Sequence, residues 1–156
     1  MPELPDIRVY TELLTRRVVG HTLRRVSIRS PFLLRTFEPP IETAEGRRVT
    51  AVSRLGKRIV FELEGDLFLV LHLMIAGRLL WKPASATSST KPSVKPTGKI
   101  DLAAFTFEDG ALLFTEAGTK KRASLHVLSG RAALAAHHRA GLEVFTAATA
   151  AFATAL

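Results

Sequence analysis

Residues Lys57–Trp81 read KRIVFELEGDLFLVLHLMIAGRLLW. Three apolar or β-branched runs, Lys57–Glu64, Leu67–Leu73 and Gly77–Trp81, follow one another with glycine and aspartate between them. Runs this short, bounded by turn residues, read as strands, because a helix needs a longer segment to bury a face. Downstream, Asp101–Glu108 and Ala111–Glu116 flank Asp109-Gly110, a pair suited to the backbone of a tight hairpin. Arg122–Leu128 reads as one more strand. Upstream, Thr22–Ser30 alternates through Leu23, Val26 and Ile28 and stops at Pro31; Arg47–Arg54 reads as a strand too, though its Val49 and Val52, three apart, fit the alternation less well. Pro5 to Val19 has Ile7, Tyr10, Leu13, Leu14 and Val18 at helical spacing, with Gly20 as its stop. Gly130–Ala140, rich in alanine, reads as a second helix. The expected fold is mainly β: a two-sheet antiparallel β-sandwich or pseudobarrel flanked by an N-terminal helix and a second helix.

The 156 residues suit one domain, spanning 1–145 in this reading. Residues 82–99, dominated by Ser, Thr, Pro and Lys, form an inserted mobile loop within it. The last stretch, TAATAAFATAL (146–156), is low-complexity and reads as the start of a linker. No cysteine is present, which excludes disulfides, thiolate metal sites and a cysteine nucleophile within the chain. No apolar run is long enough to span a bilayer, and the acidic start MPELPDIRVY lacks a signal peptide's basic and apolar regions. A cytoplasmic protein with no membrane partner is expected.

With 22 Lys and Arg against 14 Asp and Glu, the net charge is +8, which favours a polyanionic partner. Residues 16–35 carry six arginines and no acid, and further cations group at Arg54, Lys57 and Arg58 and at Lys120, Lys121 and Arg122. Acids collect at Glu62, Glu64 and Asp66, and at Asp101, Glu108, Asp109 and Glu116. Few aromatic residues are available for stacking on single strands, so duplex backbone contact fits better. The five histidines, at 21, 72, 126, 137 and 138, show no metal-ligand spacing. His72, among leucines, reads as a structural histidine, and His137-His138 as a helix cap or solvent-facing pair.

Removal of Met1 is normal before a small second residue and would expose the secondary amine of Pro2. An α-amino group has a pKa near ~8, so much of it is neutral at physiological pH and able to attack an electrophilic carbon. Glu3 stands beside it at the start of a helix, where the helix dipole favours its ionised form. Proline and glutamate also simply begin helices.

MPELPDI resembles the N-terminus of the formamidopyrimidine-DNA glycosylase family, the Fpg/MutM and endonuclease VIII-like base-excision enzymes. The resemblance continues at Val19-Gly20 and Leu23, at Ser53–Arg58 (the family's lysine turn), at Leu71–Leu79 (its H-L-G-M-[ST]-G-x-L segment) and along the Asp101–Thr115 hairpin. PEL in place of PEG leans to the Fpg side. The resemblance implies a bifunctional DNA glycosylase/AP lyase acting on double-stranded damaged DNA. Pro2 would attack the sugar C1′ of a flipped damaged nucleotide to form a Schiff base, and Glu3 would serve in proton transfer. Lys57 would position the lesion strand, and Asp6, in the place of a family glutamate, would keep the charge on a shorter stem. Arg54, Arg58, Met74, Ile75, Lys120, Lys121 and Arg122 are the implied DNA contacts.

Two departures bear on that picture. The family's duplex-inserting Met position holds Ile75, with Met74 one residue earlier; in a strand that shift would turn Met74 to the other face. Where the family has D-x-R-R-F-G, residues 116–124 read EAGTKKRAS, with no wedge aromatic. The family's helix-two-turns-helix domain and its finger, the place of any zinc, are expected to follow residues 146–156; no cofactor is expected in this chain. The implied setting is a bacterial, nucleoid-associated monomer. The rival reading is a non-catalytic homologue that binds duplex or damaged DNA. A further one is a basic β-rich RNA-binding module.

Overall fold

The computed structural model describes residues 4–83, 98–118 and 121–138. Helix α1 (Leu4–Val18) is followed by strands β1 (Thr22–Leu23), β2 (Arg25–Ile28), β3 (Arg47–Leu55), β4 (Arg58–Leu63), β5 (Leu67–His72), β6 (Gly77–Pro83), β7 (Asp101–Thr106), β8 (Gly110–Glu116) and β9 (Ser124–Ser129). A short helix α2 spans 131–138. The strands form two antiparallel sheets, ordered β1-β3-β4-β5-β9 and β2-β7-β8-β6, as expected of the sandwich.

One core lies between them. From the first sheet it takes Ile59, Phe61, Leu69, Leu71, Leu125 and Val127; from the second, Leu79, Ala103, Phe105, Leu112 and Phe114. The Phe61 and Phe105 rings meet across it with centroids 6.4 Å apart. Alternation sends the odd residues of β4 inward and leaves Val60 on the outer face with Phe68 and Val70 of β5. There Leu134 of α2 and Leu128 cover them, so β5 is buried on both faces and reads as an unbroken apolar run. Helix α1 buries Ile7, Leu14 and Val18; Leu13, expected on that face, is instead 53% exposed.

Three expectations are corrected, and the valine spacing of a fourth segment is explained. Thr22–Ser30 is not one strand. Between Leu23 and Arg25 the chain passes from one sheet to the other, with Gly46 N–H bonded to Leu23 O and Arg24 N–H to Thr106 O. In β3 the register shifts between Val49 and Ala51, a bulge that accounts for the three-residue spacing of Val49 and Val52. The 82–99 segment begins in strand, since Lys82 and Pro83 pair with Ala111 and Gly110. Gly98–Ile100 is turn, and residues 84–97 lie outside the described residues, as does 146–156. Asp101–Glu108 stops as a strand at Thr106, where Phe107 N–H bonds Gly110 O to close the hairpin.

Candidate functional site

Strand pairing gathers the singled-out segments at one end of the sandwich. Arg58 of β4 pairs with His72 of β5, which pairs with Ser124 of β9. The turn before β4 (56–57), the turn after β5 (73–76) and residues 121–123 before β9 therefore share an end. Glu116, last in β8, pairs with Gly77, first in β6, and brings the second sheet to the same place. Helix α1 runs back toward it: Gly20, past its C-terminus, bonds Val49 O, and Thr11 to Arg16 flank Val52 and Ser53. At about 1.5 Å per residue, the helix start then heads for the Gly56-Lys57 turn. Pro2, Glu3 and Lys120 lie outside the described residues. Asp6 sits exposed in the first turn of α1.

Lys57 occupies a two-residue hairpin closed by the Leu55–Arg58 pair, with Gly56 at φ 59° in the left-handed region. Arg54, exposed on the strand before it, donates from Nη1 to Gly56 O at 3.1 Å and steadies the turn. Arg58 is half-buried at the start of β4. Met74 and Ile75 correct the sequence reading: they lie in a turn, Met74 at φ 59°, so the rule of alternating faces does not apply. Ile75 is 53% exposed at the tip. Gly77 N–H bonds Leu73 O at 2.9 Å and closes that turn. In the neighbouring loop Arg122 is exposed and Lys121 half-buried.

Two features were missed in the sequence. His72 stands against Arg58, and burial first, then the charges of Arg58, His137 and Lys57, lowers its pKa. It is a neutral imidazole among cations at physiological pH. The signal was its place at the end of a strand whose partner begins with Arg58, visible only once register is known. His137 is no solvent-facing cap: its ring lies 4.5 Å, centroid to centroid, from that of His126. Glu116 was the second miss. Grouped by sequence with the distant acids, it stands at the cationic end, 1% exposed.

Asp101 lies at this end too, opposite Thr115, while the acids of the β4–β5 and β7–β8 turns separate from the cations. Glu64 and Asp66 turn β4 into β5, and Glu108 and Asp109 turn β7 into β8, both at the far end of their strands. Among the described residues the Arg24–Glu108 pair at 3.2 Å and the Arg131–Glu62 pair lie at that end, as does the contact of His21 Nε2 with Asp109 at 3.7 Å. The molecule is thus polarised, with Arg54, Lys57, Arg58, Lys121 and Arg122 around three adjacent turns, an arrangement suited to a phosphate backbone. Among the described residues no group of three or more His, Asp or Glu could hold a metal ion, and the chain has no cysteine, so these residues do not fit a zinc site. No described helix is long and apolar enough to cross a membrane.

The family model for the formamidopyrimidine-DNA glycosylase N-terminal domain matches residues 1–122. The formamidopyrimidine-DNA glycosylase of Thermus thermophilus is 40% identical over 87 residues, covering 56% of this chain and 31% of its own length. That of Heliobacterium modesticaldum is 32% identical over 117 residues, covering 72% of this chain and 39% of its own. The chain therefore spans well under half of these relatives. Among solved structures, the Lactococcus lactis enzyme bound non-covalently to DNA with an AP site superposes at a TM-score of 0.67 and 26% identity, over 81% of this chain and 45% of that one. MutM in complex with DNA containing carbocyclic 8-oxo-G gives 0.68 and 25%, over 82% of this chain and 45% of that one.

Proposed function

The chain belongs to the formamidopyrimidine-DNA glycosylase family through its N-terminal domain, and from that premise we propose that it forms one wall of the DNA cleft and the nucleophilic start of a DNA glycosylase/AP lyase. The observation that carries the reading is the convergence of three turns and the approach of the α1 start at one cationic end of the sandwich. Pro2, freed by removal of Met1, would add its nitrogen to C1′ of an oxidised nucleotide turned out of the duplex. The base leaves with a proton and the amine loses its own; the C1′–O4′ bond then breaks, O4′ takes a proton and the nitrogen is left as an iminium. Loss of a C2′ proton then expels the 3′ phosphate and nicks the strand. Glu3 is the proposed proton carrier for sugar opening and base departure, with Asp6 one helical turn further on.

Lys57, held by the Arg54-braced hairpin, contacts a phosphate of the lesion strand, with Arg58 beside it. Ile75, at the tip of its turn, faces the gap the nucleotide leaves, while Met74 shapes that turn. Lys120, Lys121 and Arg122 take the phosphates alongside. The implied substrate is damaged duplex DNA, met by a monomer in the bacterial cytoplasm.

Borohydride trapping on a duplex with one abasic site, followed by intact mass, tests this reading. A covalent adduct is expected with the wild type and none with Pro2→Gly. Unreacted protein lacking Met1 and forming no adduct would overturn it. That result would favour a second reading, a damaged-DNA-binding homologue without excision, which the aliphatic Ile75 and the loop without an aromatic wedge support.

A further inference from the structure

A carboxylate beside a phosphate-facing surface should weaken it, yet Glu116 stands at the joint between the two loops offered to DNA. Its charge is spent on the main chain. Arg122 N–H donates to both carboxylate oxygens, at 2.9 Å and 3.0 Å, and Ala123 N–H donates to Oε2 at 2.9 Å. Lys121 Nζ donates to the Glu116 carbonyl oxygen. Glu116 N–H in turn bonds Ile100 O at 2.9 Å, which ties the same residue to the entry of β7. Backbone donors to a buried carboxylate are charge-assisted and strongly directional, and they leave the anion little reach into solvent.

We propose that Glu116 is a positioning residue, whose buried carboxylate fixes the main chain at Arg122 and Ala123 and so sets where Lys121 and Arg122 meet the DNA backbone. The proposal rests on the DNA-facing reading above. Glu116 itself touches no DNA: it is covered, and it acts through the two cations that follow it. Because it also pairs with Gly77, it holds that stretch of main chain in fixed relation to the Ile75 turn. This network supplies a physical reason for the placement of Lys121 and Arg122.

Glu116→Gln keeps the shape but turns one acceptor oxygen into a donor that faces N–H groups. Binding to an abasic duplex, followed as a function of salt, is the experiment, run at a temperature where every variant is folded. Glu116→Gln should bind about tenfold more weakly. Its salt slope should fall by about one to two counter-ions, in step with Lys121→Ala/Arg122→Ala. Adding Glu116→Gln to that double variant should cost no more affinity, since the cations it positions are gone. A carboxylate with a merely structural role would lower the melting temperature and leave affinity and slope as they were. That outcome, or losses that multiply in the combined variant, overturns the proposal. Should Glu116→Gln not fold, Glu116→Asp carries the same test, with both oxygens kept on a shorter stem. A wild type that binds while the Glu116 variants bind as well as it does overturns this proposal alone. A wild type that binds no duplex overturns the DNA-facing reading and this one with it.

Discussion

Gly77 leaves no room for a side chain, because a Cβ there would stand 2.2 Å from the Leu73 carbonyl oxygen. The obstacle is backbone, held in place by the Gly77 N–H bond that closes the 73–76 turn. Gly77→Ala should therefore cost about 2–4 kcal/mol in urea unfolding, by opening that turn. An unchanged midpoint would show that the turn relaxes freely. Single residues were unevenly legible beforehand. Asp109-Gly110 declared its hairpin, since its chemistry is local, and Gly110 is further required because a Cβ would meet Lys82 O at 2.3 Å. Met74 was misread because the apolar run hides where β5 ends and the turn begins. Glu116 was misread because burial of an acid depends on donors that follow six and seven residues later and on a loop conformation no periodicity announces.

At the scale of elements, helix α2 is fastened to the outer face of the five-stranded sheet by Leu134, by the Arg131–Glu62 ion pair and by the His126–His137 contact. Burial, the neighbouring His137 and then Arg58, Arg35 and His72 hold His126 down to about 4. Burial, and after it the charge of Arg58, also lowers His72 and His137. The unfolded chain takes up protons near ~6.5 that the folded one refuses, so stability falls with pH across that window. It is fully present above pH 6.5 and is lost progressively toward pH 4. Urea midpoints measured from pH 7.5 to 4.5 should decline, and His126→Gln should flatten the decline; equal slopes would remove His126 as its source. Element types were legible because their periods are local. Two matters were not: the break at Arg24 and the bulge in β3 both answer to pairing partners remote in sequence, Thr106 and Leu63 among them.

The described molecule carries its charge as an axis, with cationic turns gathered at one end and the Arg24–Glu108 and Arg131–Glu62 ion pairs at the other. Sequence clustering showed that cations and acids segregate, but their directions follow from register alone. The axis makes a spatial prediction. Arg54→Gln with Arg58→Gln should weaken duplex binding about tenfold and lower the salt slope by about two. Arg24→Gln with Arg131→Gln, at the paired end, should leave both within about twofold. Equal losses from the two pairs, read by fluorescence anisotropy across a salt series, would show that binding follows net charge and not placement.

The place of β9 has a consequence in time. β5 (Leu67–His72) finds its outer neighbour only in Ser124–Ser129, and the Leu33–Thr36 segment waits for the same strand, through Leu125 and Val127. Ribosomes add about 5–20 residues per second, so a nascent chain holds the LFLVL ribbon with one rail open for several seconds before β9 is made. During that interval the ribbon's fate rests with whatever meets the emerging chain, and synthesis speed through the codons between His72 and Ser129 becomes part of how this domain reaches its fold.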